Sequence, residues 1–238
     1  MQTVLITGGS RGIGAAMVRL FSVHGWRAAF TYCSSEEKAL TLSRETGALA
    51  FRCNGESEKE IEDTARELLR RFSHLDALIC NAGIAYSGLL QDMETEAWDR
   101  LFSVNVRSAF LMTKRFLPGM ISAQSGSILY VSSMWGQTGA SCEAAYSASK
   151  AALIGLGKAL AKEVGPSNIR VNCLCPGVIQ TDMLNSYTPE DLDALKEETP
   201  LLRLGTPEDV ARAAFFLSTE NASFITGQAL GVNGGFVI

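Results

Sequence analysis

The sequence predicts an α/β fold: a single doubly wound domain over residues 1–238, with a seven-stranded parallel sheet and helices on both faces. Short apolar runs alternate with amphipathic stretches along the whole chain, as in βαβ units whose strands are buried on both sides. A glycine-rich turn joins the first apolar run to the first amphipathic stretch. No composition break, repeat or linker divides the 238 residues, so one domain is the economical reading.

The elements follow in order. Val4-Leu5-Ile6 is strand one, and Ile13, Met17, Leu20 and Phe21 recur behind it at helical spacing. Ala28 to Tyr32 is strand two, Glu36 to Arg44 a polar helix, and Leu49 to Phe51 strand three. Ile61, Ala65, Leu68, Leu69 and Phe72 stripe a third helix, and Leu75 to Cys80 is strand four. One long helix is expected from Thr95 to Met120, with Pro118 near its end. Ser127 to Ser132 is strand five, Tyr146 to Val164 a helix, and Ile169 to Leu174 strand six. Beyond a Pro/Gly-rich stretch, Pro207 opens a helix carrying Val210, Ala214, Phe215 and Leu217. Gln228 to Val232 is the last strand.

Composition excludes several classes. A hydrophobic fraction of 47% supports a large core and excludes disorder. A net charge of −4 disfavours nucleic-acid binding, which calls for a basic excess against phosphates. No apolar run approaches the ~20 residues of a membrane span. A strand-like run begins by Val4 with no signal peptide before it, so a cytoplasmic location is expected. The six cysteines read as small core hydrophobes. With two histidines and no second cysteine pair near Cys173-x-Cys175, no metal site is expected.

The turn is Thr7-Gly8-Gly9-Ser10-Arg11-Gly12-Ile13-Gly14. Glycines allow close backbone approach to a pyrophosphate, and free N–H groups of the following helix face its charge. The alternative is a structural turn with no ligand; a Walker A loop is excluded, because no Gly-Lys-Ser/Thr follows. At the end of strand two, Tyr32-Cys33-Ser34-Ser35 offers no carboxylate for a ribose 2′-hydroxyl. Arg11 can reach the same space, where a guanidinium suits a 2′-phosphate. Together these favour NADP(H), although Arg11 is also compatible with a solvated turn residue.

Tyr146-Ser147-Ala148-Ser149-Lys150 opens a helix and puts Tyr146 and Lys150 on one face. A free phenol has a pKa near 10, and a neighbouring ammonium is expected to lower it towards the working pH of a general acid. Ser133, after strand five, stands at the carboxyl edge where doubly wound sheets bind ligands. Taken singly, the Tyr146/Lys150 pair reads as ordinary helix packing and Ser133 as a cap; it is their combination with the glycine turn that points to chemistry.

Together with Asn81-Ala82-Gly83, Asn105, Pro176-Gly177 and Asn233-Gly234-Gly235, these motifs resemble the short-chain dehydrogenase/reductase family over essentially the whole chain. The resemblance implies a Rossmann-type fold, a homotetramer, and hydride transfer between a nicotinamide and a carbonyl/alcohol pair. It implies that Tyr146 donates the proton, Ser133 orients the carbonyl and Lys150 holds the nicotinamide ribose and tunes Tyr146. Asn105 would hold a relay water. Asn81, Ala82 and Gly83 would line the adenine-ribose side, with Asn54 and Gly55 where the family places an acid. Pro176, Gly177, Ile179 and Thr181 would cover the nicotinamide. Cys80 departs from the family's usual Asn before Asn81.

Within the family the chain is most similar to bacterial 3-oxoacyl-(acyl-carrier-protein) reductases, through the glycine turn, Arg203 to Glu208 and Phe224 to Gln228. The resemblance implies an acyl-thioester substrate, with acyl carrier protein as a candidate partner. Two arginines dock the acidic carrier in such enzymes, but Gln124 and Ser167 stand at the matching positions. Arg100, Arg107 and Lys114, seven apart, are a possible substitute stripe, or else a solvated or subunit-facing surface. Residues 180–204 are expected to form a substrate lid, and Met134 and Trp135 an apolar wall. Alcohol, sugar or ketone dehydrogenation and a non-catalytic nucleotide-sensing scaffold remain the alternatives. Helices 95–120 and 146–164 carry Phe102, Phe110, Leu111, Phe116, Leu153, Leu156 and Leu160 on more than one face, which calls for partner subunits.

Overall fold

Strict alternation along the first strand divides the core in two. In β1 (Thr3–Ile6), Val4 and Ile6 enter one hydrophobic cluster and Leu5 the other, as a period of two requires. The computed structural model describes residues 1–185 and 187–238, so Ser186 of the expected lid lies outside the described residues. Helices α1 (Gly12–Val23), α2 (Glu36–Thr46) and α9 (Pro207–Ser218) cover the Val4 face through Met17, Phe21, Leu42, Val210 and Leu217. Helices α3 (Glu58–Arg71), α5 (Ser108–Ala123) and α7 (Ala144–Val164) cover the Leu5 face.

The sheet adds β2 (Arg27–Tyr32), β3 (Leu49–Arg52), β4 (Ala77–Cys80), β5 (Gly126–Val131), β6 (Ile169–Pro176) and β7 (Ala229–Val232). Its order is β3-β2-β1-β4-β5-β6-β7, parallel throughout. The order reverses between β1 and β4, which opens a crevice beyond their carboxyl ends. Two short helices, α6 (Trp135–Thr138) and α8 (Pro189–Glu198), flank that edge.

The expected long helix is divided. Helix α4 (Thr95–Phe102) passes into a π-turn over Ser103–Arg107 before α5, with the Ser108 N–H bonding the Ser103 carbonyl five residues back. Helical periodicity in side chains does not register this one-residue excess. The helix also continues past Pro118 to Ala123. Two cysteines depart from the core reading: Cys33 and Cys142 are exposed, and the other four are buried. The second apolar face is thinner than expected, because Leu111, Phe116, Leu153 and Leu160 belong to the core and Phe110 is the exposed member of the set.

Helix α7 lies close on the sheet because Gly157 has no side chain; a Cβ there would fall 2.7 Å from Cys173 Sγ on β6. Gly157→Val should cost about 2 kcal/mol through overpacking and lower Tm by about 4–8 °C in thermal denaturation. Cys173→Ala in the same chain should recover part of that loss.

Candidate functional site

The glycine turn is wired to both neighbouring strands. Thr7 Oγ1 accepts from the N–H groups of Asn81 and Ala82, each at 3.0 Å. Asn81 Nδ2 donates back to the Thr7 and Gly8 carbonyls at 3.0 and 3.1 Å. On the β2 side, Gly8 N–H donates to Thr31 Oγ1 and Gly9 N–H to the Thr31 carbonyl. Gly8 and Gly12 have φ of +65° and +52°, which glycine adopts without strain. A Cβ at Gly14 would fall 2.8 Å from Asn81 Nδ2, and one at Gly8 2.9 Å from Ala82 Cα. Ser10, half-buried, and Ile13 complete the turn. Among the described residues no side chain caps α1, and its first turn holds no acid, so its N-terminal N–H groups suit an anion. This cradle fits a pyrophosphate.

At the adenosine side, Tyr32 is buried and Cys33 exposed. Asn54 donates its N–H to Glu60 Oε2 at 2.8 Å and accepts the Glu56 N–H on Oδ1 at 3.1 Å, so its amide is anchored at the rim of the crevice. Gly55 packs beside Ser108. Arg11, exposed, lies with Nη1 3.8 Å from Asp182.

Across the crevice stand the residues expected to carry chemistry. The π-turn buries Asn105, whose Nδ2 donates to the Ile84 carbonyl and to Ser149 Oγ, each at 3.0 Å, while Oδ1 accepts the Ile84 N–H at 2.8 Å. Lys150 is 4% exposed, donates from Nζ to the Val131 carbonyl at 3.0 Å, and lies 5.7 Å from the Tyr146 ring centroid. Gly83 passes so close that a Cβ would sit 3.1 Å from Lys150 Nζ and 3.2 Å from Asn105 Oδ1. Ser133, two residues beyond β5, stands beside the Tyr146 phenol and accepts the Trp135 N–H at 3.2 Å.

The electrostatics correct one expectation. Burial pushes the Tyr146 phenol up to about 12, against a smaller lowering by the neighbouring Ser133 hydroxyl, and nearby Glu143 raises it further. Lys150 does not lower it here. Burial pulls the ammonium of Lys150 down to about 8. As folded, the pair is a neutral phenol beside a weakly held cation.

The strand-six edge completes the crevice. Pro176 ends β6, and Gly177 donates its N–H to Val232 at 3.0 Å. A Cβ on Gly177 would fall 2.7 Å from Asn233 Cα. Ile179 is buried and bridges Gly205, and Thr181 Cγ2 would be 3.3 Å from a Cβ on Gly12. Residues expected for the nucleotide and for the chemistry therefore line one crevice.

The candidate docking residues do not join it. Gln124 and Ser167 precede β5 and β6, at the opposite edge of the sheet. Arg107 pairs with Glu58 at 3.1 Å and Arg100 with Glu56 at 3.8 Å, so the stripe is largely neutralised and the π-turn interrupts it. Sequence reasoning missed Thr31, Ser149 and Lys38. Thr31 and Ser149 carry no motif signal. Lys38 has one: a cation in the first turn of α2, where the helix dipole disfavours it.

A doubly wound fold with a crevice at its switch point is the architecture in which nucleotides are commonly bound, and the comparisons narrow the class. A family model described as "Enoyl-(Acyl carrier protein) reductase" matches residues 8–237. The chain is 38% identical to "Uncharacterized oxidoreductase YmfI" of Bacillus subtilis, covering 99% of this chain and 98% of that one. It is 39% identical to the 3-oxoacyl-(acyl-carrier-protein) reductase FabG of Chlamydia trachomatis, over 98% and 96% of the two chains. A solved Serratia marcescens short-chain dehydrogenase/reductase, a double phenylalanine-to-leucine variant, superposes with a TM-score of 0.93 at 31% identity, covering 99% of this chain and 97% of that one. The chain belongs to the short-chain dehydrogenase/reductase family. It is an oxidoreductase of a family that uses nicotinamide cofactors.

Lys150 pairs a structural cost with its position in the crevice. Its folded pKa lies below the ordinary lysine value, so below about pH 8 a buried charge opposes folding. The unfolded chain then binds more protons from about pH 8 to 10.5, and stability from this group rises over that window. Lys150→Met should be more stable than the parent by about 1–2 kcal/mol at pH 7, after subtracting the lost bond to Val131. Urea titrations should show the gap narrowing above pH 8.

Proposed function

We propose that this protein is a cytoplasmic NADPH-dependent reductase of a 3-oxoacyl thioester, working as a homotetramer. The observation that carries the reading is the Ser133–Tyr146–Lys150 group at the crevice, with its phenol held protonated by burial. A protonated phenol is a donor, which suits reduction of a carbonyl rather than oxidation of an alcohol. Ser133 lies beside the Tyr146 phenol, so the two hydroxyls can share one acceptor, which suits C=O rather than the C=C that the family model's description names.

When bound, a reduced nicotinamide supplies the hydride. The residues of this chain do the rest. The α1 N-terminus and the turn hold the pyrophosphate, with Arg11 toward the adenosine ribose. Asn81, Ala82 and Gly83 line that side, and Pro176, Gly177, Ile179 and Thr181 cover the nicotinamide. Lys150 holds the nicotinamide ribose and keeps positive charge near Tyr146. Ser133 donates to the substrate carbonyl, and Tyr146 gives its proton to the forming alkoxide. Asn105 already uses three hydrogen-bonding positions, and the remaining lone pair on Oδ1 accepts the relay water. Leu89, Leu90, Met183, Tyr187, Leu201 and Leu202 expose apolar side chains on the segments beside the site, which favours an acyl chain over a polyol.

The ion pairs of Arg100 and Arg107 leave little basic surface for an acidic carrier. A free thioester should therefore serve about as well as a carrier-bound one. NADPH oxidation with acetoacetyl-coenzyme A should proceed with kcat/KM within about tenfold of the carrier-bound value. Turnover confined to sugars or steroid ketones would favour the dehydrogenase alternative.

NADPH should exceed NADH at least about tenfold in kcat/KM, and Arg11→Ala should raise the NADPH KM selectively. Tyr146→Phe should lower kcat by about 10²–10⁴ with NADPH affinity retained. Ser133→Ala should follow the same pattern, whereas Lys150→Ala should lose both turnover and cofactor affinity. Phe110, Phe224 and Leu230 are exposed apolar residues on α5 and around β7, consistent with two interfaces. Light scattering at micromolar concentration should give the mass of a tetramer, and a monomer would refute the assembly.

A further inference from the structure

Two cysteines stand side by side where β2 and β3 end. The strands pair Ala29 with Leu49, Thr31 with Phe51 and Tyr32 with Arg52. The Cys53 N–H carries the ladder on by donating to the Tyr32 carbonyl at 2.8 Å. Cys33 therefore falls opposite Cys53. Side chains alternate along a strand, and Ala29, Leu49, Phe51 and Cys53 all meet the core on the Leu5 face, which puts Cys33 on that face too. Neighbouring strands lie about 4.8 Å apart, inside the Cα separation of about 4.4–6.8 Å that a disulfide spans. The thiols are near enough for charge on Cys33 to raise Cys53. Cys33 is exposed and Cys53 buried, so one thiol meets solvent and the other lies behind it. The other cysteines are less suited. Cys142 is exposed on the loop before α7, and burial pushes the thiols of Cys80, Cys173 and Cys175 up to about 12, about 12 and about 11.

We propose that Cys33 and Cys53 form a reversible disulfide that lowers the affinity of the protein for its nicotinamide cofactor. The oxidant is a small-molecule disulfide of the glutathione type. The Cys33 thiolate attacks one of its sulfurs, which forms a mixed disulfide and releases one small thiol. Cys53 then attacks the Cys33 sulfur, which forms the protein disulfide and releases the second small thiol. Two protein thiols are oxidised, the small disulfide is reduced to two thiols, and the two cysteine protons pass to the departing sulfurs. Burial raises the Cys53 thiol, the neighbouring Thr64 hydroxyl offsets part of this, and Glu60 adds to it. The thiolate is the attacking form, so the second step is the slow one. Both strand ends belong to the adenosine side of the crevice. Cys33 lies within Tyr32–Ser35, and Asn54, anchored at the rim, follows Cys53. The bond commits the Cys33 side chain to Cys53 and resets the spacing of these ends, whereas a seated adenosine requires the open arrangement. The disulfide does not depend on the cofactor reading above; its effect on binding rests on that reading, for either nicotinamide.

The intact protein, equilibrated with oxidised glutathione and then digested with trypsin, should give residues 28–38 joined to residues 53–59 in mass spectrometry. Dithiothreitol should separate them. Cys53→Ser should stop at a glutathione adduct on Cys33, Cys33→Ser should give no link, and Cys142→Ser should still link. Calorimetry should find NADPH and NADH at least about fivefold weaker on the oxidised protein, the lower end of ordinary coupling between sites, with the affinity of Cys33→Ser unmoved by oxidant. By reciprocity, saturating cofactor should lower the linked fraction in a glutathione buffer. A stable glutathione adduct on Cys33 of the parent, with Cys53 left free, would overturn the disulfide. Joined peptides with cofactor affinity unchanged would overturn its effect on binding. A reduced parent that binds neither nucleotide would refute the cofactor reading, and the switch with it, while joined peptides would still establish the disulfide.

Discussion

The candidate site depends on holding one ammonium group almost wholly out of water. Among the described residues Lys150 has one acceptor, the Val131 carbonyl at the end of β5, and the packing nearby lets it reach that point. Gly83 lacks a side chain where one would meet Nζ. Gly136 in α6 lacks one where it would meet Ser132 Oγ and the Lys150 backbone. Ser132 Oγ donates to the Lys150 carbonyl at 2.8 Å, which ties α7 to the strand whose carbonyl receives the ammonium. A buried charge with one neutral partner is costly, and the packing of three elements around it is what that cost requires.

Much of the fold was legible because it rests on periodicity. Each strand carries a continuous apolar run, as parallel sheets demand, and all seven emerged within a few residues of their observed bounds. The π-turn was illegible, because Phe102, Asn105 and Ala109 satisfy a helical stripe whether or not one hydrogen bond spans five residues. The outward face of α5 was overread for a related reason: Leu111 and Phe116 fill the deep groove against α3 and β4, so apolar count did not translate into apolar exposure.

The site divides along similar lines. Glycine positions were readable, since a missing side chain is a statement about space. Polar contacts made by backbone were not. The anchoring of Asn105 on Ile84, or of Asn81 on the carbonyls of the turn, leaves no pattern in side-chain identity. The pKa shift of Tyr146 runs opposite to the sequence expectation, because sequence shows that a lysine is near and not that water is absent. Desolvation raises the phenol here, and the charge of Glu143 adds to it.

The π-turn at Ser103–Arg107 sets the angular phase between two halves of one rod. One residue corresponds to about 100° of helical rotation, so α5 is not in register with α4. The half before the turn can present Trp98 stacked on Phe102 and reach Glu56 with Arg100. The half after it presents Met112 and Phe116 to the sheet. A straight helix would have to choose between those directions. The offset lets a single rod serve both the crevice rim and the sheet, with Asn105 at the point where its direction changes.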